Sequence, residues 1–302
     1  MIPTSPSQRI PLGRSGLSVA PLGWGMWRFA GTDLATARSR VDAALEIGCT
    51  LFDTADVYGS GAHGGFGAAE TLFGLVLRDD TSIRSRIVLA TKAGICPGVP
   101  YDSTGPYLLQ ACEASLRRLG VEQIDLLQIH RPDLLVHPAE VAQAFDTLHR
   151  QGKVRAIGVS NYSATQTRAL LAHLTVPMAS VQPEFSALAI EPLENGVLDL
   201  ALEVGIGVLA WSPLAGGRLA EPRGDVRADR VVTAFATLAA DRGTTPTALA
   251  YSWLMAHPAR VVPLIGSQSP AHIRAVAAAY AVSWTAPDWY RILVAARGAP
   301  MP

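Results

Sequence analysis

Asp53, Lys92 and His130 each end one of three successive predicted strands, and Tyr58 follows Asp53 by five residues. Side chains alternate along a strand and neighbouring strands lie about 4.8 Å apart, so these four groups can converge on one patch. A phenol has an ordinary pKa of about 10, and an adjacent ammonium makes it a better acid by stabilising the phenolate. Lys92 can supply that charge, Asp53 can keep it charged and oriented, and His130 can hydrogen-bond a carbonyl oxygen. The set predicts acid catalysis on a carbonyl group, with the second reactant delivered by another molecule.

Each of these residues also has an ordinary structural interpretation. A strand-end lysine is usually solvated or ion-paired, Asp53 can cap a helix, and residues 130–133 can form a turn. The conjunction of ionisable residues at three consecutive strand ends favours chemistry over these structural roles. A different chemistry stays open as well, because a lysine at a barrel strand end can form a Schiff base, as in a lyase.

Residues 59–64 (Gly-Ser-Gly-Ala-His-Gly) match the pattern GxGxxG of dinucleotide-binding sheets. That motif should open a helix directly after its strand, and an acidic residue should end the next strand about 20 positions later. Here five residues separate Asp53 from the motif, and Asp79 and Asp80 precede the next strand instead of ending it. We therefore predict a flexible loop near the mouth of the site.

An alternation of strand and helix runs through the chain and must position these groups. Strands such as Ile-Val-Leu-Ala are apolar throughout, which is typical of parallel strands covered on both faces. The pattern predicts an α/β fold, a (β/α)8 TIM barrel with an N-terminal β-hairpin (Arg9–Val19) and an extra C-terminal helix (Pro287–Arg297), with an open doubly wound sheet as the alternative. The predicted barrel strands are Pro21–Trp27, Thr50–Asp53, Ile87–Lys92, Ile124–His130, Val154–Ser160, Ala179–Pro183, Gly207–Trp211 and Val261–Ile265. The predicted helices are one from an Asp33 cap to Ile47, Ala68–Leu77, Gly105–Leu119, Pro138–Gln151, Ala164–Leu174, Gly196–Val204, Arg227–Arg242, Thr247–Ala256 and Pro270–Ala281.

Composition bounds the class of protein. The 302 residues carry 25 Lys+Arg and 25 Asp+Glu, so the formal net charge is zero, and 49% of the residues are hydrophobic. A neutral chain has no general attraction to nucleic acid or to an anionic membrane, and its apolar content disfavours disorder.

Neither an apolar signal segment nor a run of 18 apolar residues occurs, so we expect a cytoplasmic protein of one domain, residues 1–302. Cys49, Cys96 and Cys112 form no metal-binding pattern, and we expect all three to be buried.

Three segments of this chain strongly resemble the aldo-keto reductase family: residues 52–59 (Phe-Asp-Thr-Ala-Asp-Val-Tyr-Gly), 91–92 (Thr-Lys) and 127–133 (Leu-Gln-Ile-His-Arg-Pro-Asp). The similarity extends from the hairpin to the end of the chain. It looks closest to a bacterial subgroup with a Trp at the cofactor position of the seventh strand. The resemblance implies a catalytic tetrad of Asp53, Tyr58, Lys92 and His130.

In that family the tetrad transfers hydride from the A face of a nicotinamide to an aldehyde or ketone. The resemblance implies that Tyr58 is the acid, that Lys92 lowers its pKa, that Asp53 pairs with Lys92 and that His130 orients the carbonyl. The expected partner is a small-molecule carbonyl or alcohol, and no oligomeric state is predicted. A non-catalytic nicotinamide-binding regulatory subunit is an alternative within the family, against which the complete tetrad argues.

The resemblance also implies a set of cofactor contacts. Ser160, Asn161 and Gln182 look like the groups that hydrogen-bond the nicotinamide carboxamide, and Trp211 stands where the family stacks an aromatic ring on the nicotinamide. Residues 212–218 resemble the pyrophosphate loop, in which glycines let the backbone approach phosphate. The full set of expected cofactor contacts is Met26, Trp27, Asp53, Ser160, Asn161, Gln182, Trp211, Ser212, Pro213, Leu214, Gly216, Arg218, Ile265, Gly266, Ser267, Gln268 and His272.

The segment after the eighth strand departs from the family pattern. Members that prefer NADPH often carry Lys and Arg here for the 2′-phosphate, whereas Gly266 and His272 occupy the basic positions of this chain and Arg274 is the nearby permanent cation. NADPH is the expected cofactor by family resemblance, and NADH is the alternative.

Aromatic residues suggest an apolar substrate pocket. Its expected lining is Trp27, Tyr58, Phe66, His130 and Tyr162, with Trp24 and Met26 as further candidates. The tail after the eighth helix is short, so we predict an open mouth and a broad range of aldehydes or ketones.

Overall fold

Eight short parallel strands close into a barrel in the computed structural model, which describes residues 4–61, 64–221 and 224–302. The strands follow one another around the barrel in chain order, and the last pairs with the first. A two-stranded antiparallel hairpin precedes them and consists of β1 (Ile10–Pro11) and β2 (Ser18–Val19). The barrel strands are β3 (Gly23–Gly25), β4 (Leu51–Asp53), β5 (Val88–Ala93), β6 (Ile124–Ile129), β7 (Val154–Ser160), β8 (Met178–Gln182), β9 (Gly207–Ala210) and β10 (Val262–Ile265).

Side chains that alternate along the barrel strands form two apolar layers, one inside the barrel and one between the barrel and the helices. The side chains that point into the lower barrel pack against those of the hairpin, which closes that end of the barrel. The inner layer contains Ile10, Leu12, Leu17, Val19, Leu51, Ala90, Leu126, Ala156, Ala179, Leu209, Val262 and Leu264. Outward side chains of the same strands pack under the helices. Because Leu51 and Ala90 point inward, Asp53 and Lys92, two positions later on their strands, point inward as well.

The surrounding helices start and stop at the signals that the sequence provides. Asp33 caps the first helix by accepting a hydrogen bond from the Thr36 amide at 2.7 Å, and left-handed glycines such as Gly120 end several helices. The helices are α1 (Leu34–Glu46), α2 (Ala68–Asp79), α3 (Ser82–Arg86), α4 (Gly105–Leu119), α5 (Pro138–Arg150), α6 (Ala164–Leu171), α7 (Val197–Val204), α8 (Val226–Arg242), α9 (Pro246–Met255), α10 (Pro270–Ala275) and α11 (Ala286–Arg297).

The predicted barrel, hairpin and terminal helix are therefore confirmed, with local corrections. The five-residue helix α3 was not predicted; it begins where the Asp80 carboxylate accepts a hydrogen bond from the Ser82 amide. The predicted helix Pro270–Ala281 changes from α10 to a 3₁₀-helix at Val276–Ala281, a common way for a helix to end.

Cys49 and Cys112 are buried as expected, but Cys96 is only half-buried, so that part of the cysteine prediction was wrong. Cys96 lies in the loop after β5 instead of on a core-facing element. Among the helices of the described residues, none is long and apolar enough to cross a membrane.

Candidate active site

The four predicted catalytic groups meet at the C-terminal ends of adjacent strands. Asp53 is the last residue of β4, Lys92 is the penultimate residue of β5, and His130 follows β6 directly. Tyr58 lies in the loop after β4, where its amide donates to the Ala55 carbonyl oxygen at 3.1 Å and its carbonyl oxygen accepts from the amide of the second residue of α2. All four side chains are buried, with exposed fractions between 1% and 8%.

The Lys92 ammonium lies at the centre of this group. Its Nζ donates to Asp53 Oδ2 at 2.5 Å, to the Thr54 carbonyl oxygen at 2.9 Å and to Tyr58 Oη at 3.2 Å. An ammonium has three N–H donors, so each donor has a partner. This geometry holds a positive charge next to the phenol oxygen in a buried site.

The second oxygen of Asp53 is held as firmly as the first. Oδ1 of Asp53 accepts from Gln128 Nε2 at 3.2 Å and from Gln182 Nε2 at 3.1 Å. Ser180 extends this network by donating to Gln128 Oε1 at 3.3 Å. The carboxylate that pairs with Lys92 is thus fixed by inward-pointing amides of β6 and β8.

For each of Lys92 and Tyr58, burial and the charge of its partner change the pKa in opposite directions. Burial is the largest single influence on Lys92 and disfavours its ammonium, but Asp53 and Tyr58 together outweigh it and raise the Lys92 pKa. Burial also raises the pKa of Tyr58, while Lys92 lowers it by a smaller amount. Lys92 lowers the Tyr58 pKa, as the resemblance implies, but desolvation of the phenolate is the larger influence and the net pKa is raised. The lysine acts in the predicted direction and limits the rise.

His130 is a neutral imidazole. Burial, with Lys92 and Arg131 nearby, lowers its pKa to about 2. Its ring lies edge-on to the Tyr58 ring with the centroids 5.6 Å apart, and its buried Nδ1 atom has no hydrogen-bond partner among the described residues. A neutral imidazole next to the phenol can donate a hydrogen bond to a substrate oxygen without competing as an acid.

A second buried polar cluster lies behind the tetrad, and it was not predicted from the sequence. Glu70 of α2 is fully buried and accepts from Thr91 Oγ1 at 2.5 Å and from Arg118 Nε at 2.7 Å. Asp56 is also fully buried, and neither of its carboxylate oxygens has a hydrogen-bond partner among the described residues. Burial and the neighbouring Glu70 raise the pKa of Asp56 to about 8. Its place three residues after Asp53 did not indicate this environment, because burial of the loop depends on how α2 packs.

The residues expected to hold the nicotinamide are joined in one network beside His130. Asn161 Nδ2 donates to the His130 carbonyl oxygen at 2.9 Å and to Ser160 Oγ at 3.0 Å, and Ser160 Oγ donates to the Gln182 carbonyl oxygen at 2.9 Å. Asn161 adopts the left-handed region at φ 61°, which aims its side chain back at the strand ends. The Trp211 indole N–H donates to Asn161 Oδ1 at 3.0 Å and fixes the half-buried ring.

The loop at residues 212–218 has the unusual backbone that its sequence suggested. Ser212, Ala215 and two glycines have positive φ values, and Gly216 and Gly217 have open space where a Cβ would lie. Pro213 is buried and Leu214 is half-buried, and the loop lies at the rim of the barrel because it follows the C-terminal end of β9. The guanidinium of Arg218 is not free, since it pairs with Asp225 at 3.1 Å.

The loop after β10 continues the same rim. Ile265 is fully buried, whereas Gly266 and His272 are exposed. Gln268 Nε2 donates to the Gly25 carbonyl oxygen at 3.1 Å, and its buried Oε1 has no partner among the described residues. Arg274 forms a bidentate ion pair with Glu46 of α1, at 2.6 and 3.1 Å.

The expected substrate pocket needs two corrections. Trp24 and Met26 are fully buried in the layer between barrel and helices; Trp24 donates to the Ser267 carbonyl oxygen at 3.1 Å. Trp27, in contrast, is 61% exposed and lies edge-on to Tyr58 with the ring centroids 5.0 Å apart. The alternation of a strand sends Trp24 outward, and the chain turns at Met26 before it exposes Trp27.

The outer pocket residues differ in exposure. Phe66 is 40% exposed and lies 5.8 Å from the Arg118 guanidinium, measured to the ring centroid, and Tyr162 is largely buried. Ala62 and His63, part of the loop predicted at residues 59–64, lie outside the described residues. Trp27 therefore lies beside the tetrad, whereas the described contact of Phe66 is with Arg118 of α4.

Comparison with known proteins agrees with this geometry. The model of the Aldo/keto reductase family matches residues 21–295. The chain is 50% identical to a 6-dehydroglucose reductase of Novosphingobium aromaticivorans, over 100% of this chain and 99% of the relative, and 34% identical to a 6-dehydroglucose reductase of Agrobacterium fabrum, over 96% and 98%. Its structure superposes on the holo form of the aldo-keto reductase AKR11C1 from Bacillus halodurans with a TM-score of 0.81 and 28% identity, over 94% of this chain and 95% of that one. The chain is an oxidoreductase and belongs to the aldo/keto reductase family.

Proposed function

We propose that this protein reduces an aldehyde or ketone with a nicotinamide dinucleotide, and that Tyr58 is the proton donor. The observation that carries the proposal is the Lys92 ammonium, which joins Asp53 and Tyr58 in one buried chain of hydrogen bonds. A phenolate formed at Tyr58 lies 3.2 Å from a fixed positive charge. The phenol can therefore release its proton in a place where burial alone would prevent it.

A nicotinamide dinucleotide fits the residues around the tetrad. The Trp211 ring is held in place, the 212–218 loop leaves room for phosphate to approach its backbone, and Gln268 Oε1 is a buried acceptor without a partner among the described residues. Ser160, Asn161 and Gln182 would face the carboxamide. When bound, the dinucleotide supplies the hydride. Members of this family generally bind NADP(H).

Each tetrad residue has one task in the proposed reaction. His130, neutral and beside the phenol, donates a hydrogen bond to the carbonyl oxygen and orients it. As the carbonyl carbon accepts hydride, its oxygen gains negative charge and takes the proton from Tyr58 Oη. Lys92 stabilises the resulting phenolate, and Asp53 keeps Lys92 charged and oriented.

The lyase alternative fits the site poorly. A Schiff base requires a neutral, accessible amine. The Lys92 pKa is raised, its side chain is only 1% exposed, and all three donor positions are engaged. Borohydride trapping with a carbonyl substrate tests the point, and we expect no covalent adduct.

We further propose that the substrate is a sugar aldehyde of the 6-dehydroglucose type, which the reaction converts to the primary alcohol. Support comes from the relative that is 50% identical over the whole chain and is named for that substrate. An exposed Trp27 ring edge-on to Tyr58 offers an apolar surface for the face of a pyranose beside the acid.

The test is a cofactor-oxidation assay with 6-dehydroglucose, a bulky aromatic aldehyde and a simple ketone, run with NADPH and with NADH. We expect the highest kcat/KM for 6-dehydroglucose. A higher value for the aromatic aldehyde would overturn the sugar assignment and leave carbonyl reduction intact. Turnover that needs neither cofactor would overturn the reductase assignment itself.

A further inference from the structure

A cavity of about 600 Å³ lies at the end of the barrel opposite the tetrad. Its wall is formed by the hairpin and by the N-terminal ends of barrel strands, including Val88 at the start of β5. Lys92 is four residues further along the same strand, about 13 Å away at the usual rise per residue. The cavity is thus separate from the proposed catalytic site.

The charged lining of this cavity is entirely positive. Arg9, Arg86 and Arg155 contribute to its wall, and no Asp or Glu of the described residues does. The Arg86 side chain makes no hydrogen bond or ion pair with the part of the chain that the structure describes. Arg155 reaches only the Gly16 carbonyl oxygen, at 3.5 Å, and Arg9 donates to two backbone carbonyl oxygens at 2.9 and 3.0 Å. The three charges therefore remain without a described carboxylate partner.

This pattern contrasts with the rest of a chain that has equal numbers of basic and acidic residues. Arg84, on the same five-residue helix as Arg86, pairs with Asp125 at 2.7 Å. Three cations in one concave wall repel one another, and an anion in the cavity would remove that repulsion.

The shape and the remaining lining favour a small ligand. A volume of about 600 Å³ lies within the usual range of small-molecule sites. The hydroxyl-bearing residues Ser18, Thr50 and Ser85 share the wall with the arginines. Guanidinium groups bind phosphate oxygens in a bidentate manner, and three of them from three separate parts of the chain exceed what one phosphate needs.

We propose that this cavity binds a small molecule that carries two or more phosphate groups. Isothermal titration at low ionic strength with inorganic pyrophosphate and tripolyphosphate tests the proposal. We expect saturable binding that is tighter for tripolyphosphate and weakens as salt is added. Arg86→Gln and Arg155→Gln should each weaken binding at least fivefold, while circular dichroism and carbonyl reduction stay unchanged because both side chains are exposed and remote from the tetrad.

Two control variants distinguish binding in this cavity from general attraction to surface arginines and from binding at the cofactor loop. Arg117→Gln removes an exposed arginine of α4 that lies outside the cavity, and it should leave tripolyphosphate binding unchanged. Arg218→Gln alters the loop proposed for the cofactor pyrophosphate and should also leave it unchanged. The proposal is overturned if no binding is seen, if Arg117→Gln weakens binding as much as Arg86→Gln, or if Arg218→Gln abolishes it. Equal affinity for citrate would overturn the assignment to phosphate.

Discussion

Every N–H of the Lys92 ammonium has a partner, and the proposed acid is one of the three. The lysine therefore cannot reorient without losing a hydrogen bond in a buried site, where an unmade bond is costly. Gln128 and Gln182 hold Asp53, so the arrangement is fixed before any substrate arrives. The site is preorganised for a charge that appears only when Tyr58 gives up its proton.

Tyr58→Phe tests the proposed acid directly. The variant keeps the ring that packs against Trp27 and His130 but has no proton to give. We expect carbonyl reduction to fall by about 10²–10⁴-fold, the usual contribution of a positioned acid, while cofactor affinity measured by fluorescence titration changes little. Undiminished turnover would refute Tyr58 as the donor.

Asp56 makes the stability of the protein depend on pH. Its pKa is about 8 in the folded protein and near 3.8 without burial, so the folded state binds one more proton between these values. The free energy of unfolding should therefore fall as pH rises from about 4 to 8, by at most about 1.4 kcal/mol per pH unit from this group. Urea unfolding of the wild type and of Asp56→Asn across this range measures the effect. Parallel curves for the two proteins would contradict the assignment.

At the scale of elements, the loop after β10 and helix α1 meet at the ion pair of Arg274 with Glu46. The sequence leaves Arg274 as the cation near the expected 2′-phosphate. The structure adds that Glu46 already occupies its guanidinium in a bidentate manner. A 2′-phosphate would have to share or displace this carboxylate, which bears on the choice between NADPH and NADH.

Glu46→Gln should free Arg274 and shift cofactor preference toward NADPH. Both side chains are about half exposed, so we expect a modest change, with NADPH affinity rising about two- to fivefold relative to NADH. Titration of intrinsic fluorescence with each cofactor measures it. Glu194→Gln, which removes an exposed carboxylate paired with Arg297, is the matched control and should leave the ratio unchanged. An unaltered ratio in Glu46→Gln would show that Arg274 does not reach the cofactor.

At the scale of the whole molecule, the hairpin closes the end of the barrel opposite the tetrad. Gly13 has a φ of +58°, and a Cβ there would lie 2.8 Å from the Met178 carbonyl oxygen. Gly16, on the same turn at +75°, has nothing within 4 Å of its Cβ position. Both glycines have a left-handed backbone, but only at Gly13 would a Cβ atom clash with the barrel.

Substitution of these glycines isolates the packing of the hairpin. Gly16→Ala should cost about 1–2 kcal/mol of unfolding free energy, the cost of a left-handed backbone alone. Gly13→Ala should cost a further 1–3 kcal/mol or so, because a carbonyl oxygen has to move. Denaturant unfolding of both variants measures the difference. Equal losses would mean that the barrel does not pack closely against the hairpin at Gly13.

Much of the fold and the tetrad follows from sequence because those features depend on local pattern. Apolar strands, a capping Asp33, and ionisable residues at strand ends carry their own signals, and the closed order of strands follows from their parallel repetition. Asp53, Tyr58, Lys92 and His130 are brought together for that reason. The short helix α3 and the change from α-helix to 3₁₀-helix at Val276 were not predicted, because each segment is too short to show a hydrophobic period.

The order of residues along each strand dictates which side chains face its end, and therefore which chemistry meets there. Their surroundings were set by the folded chain, since burial and partners come from elements far apart in the sequence. Folding raised the pKa of Tyr58 despite Lys92, turned Trp24 into the core, buried Asp56 and paired Arg274 with Glu46. It also gathered three arginines that carry no sequence signal around one cavity. The physical reason is that desolvation and pairing depend on distance in space, whereas a sequence pattern records only distance along the chain.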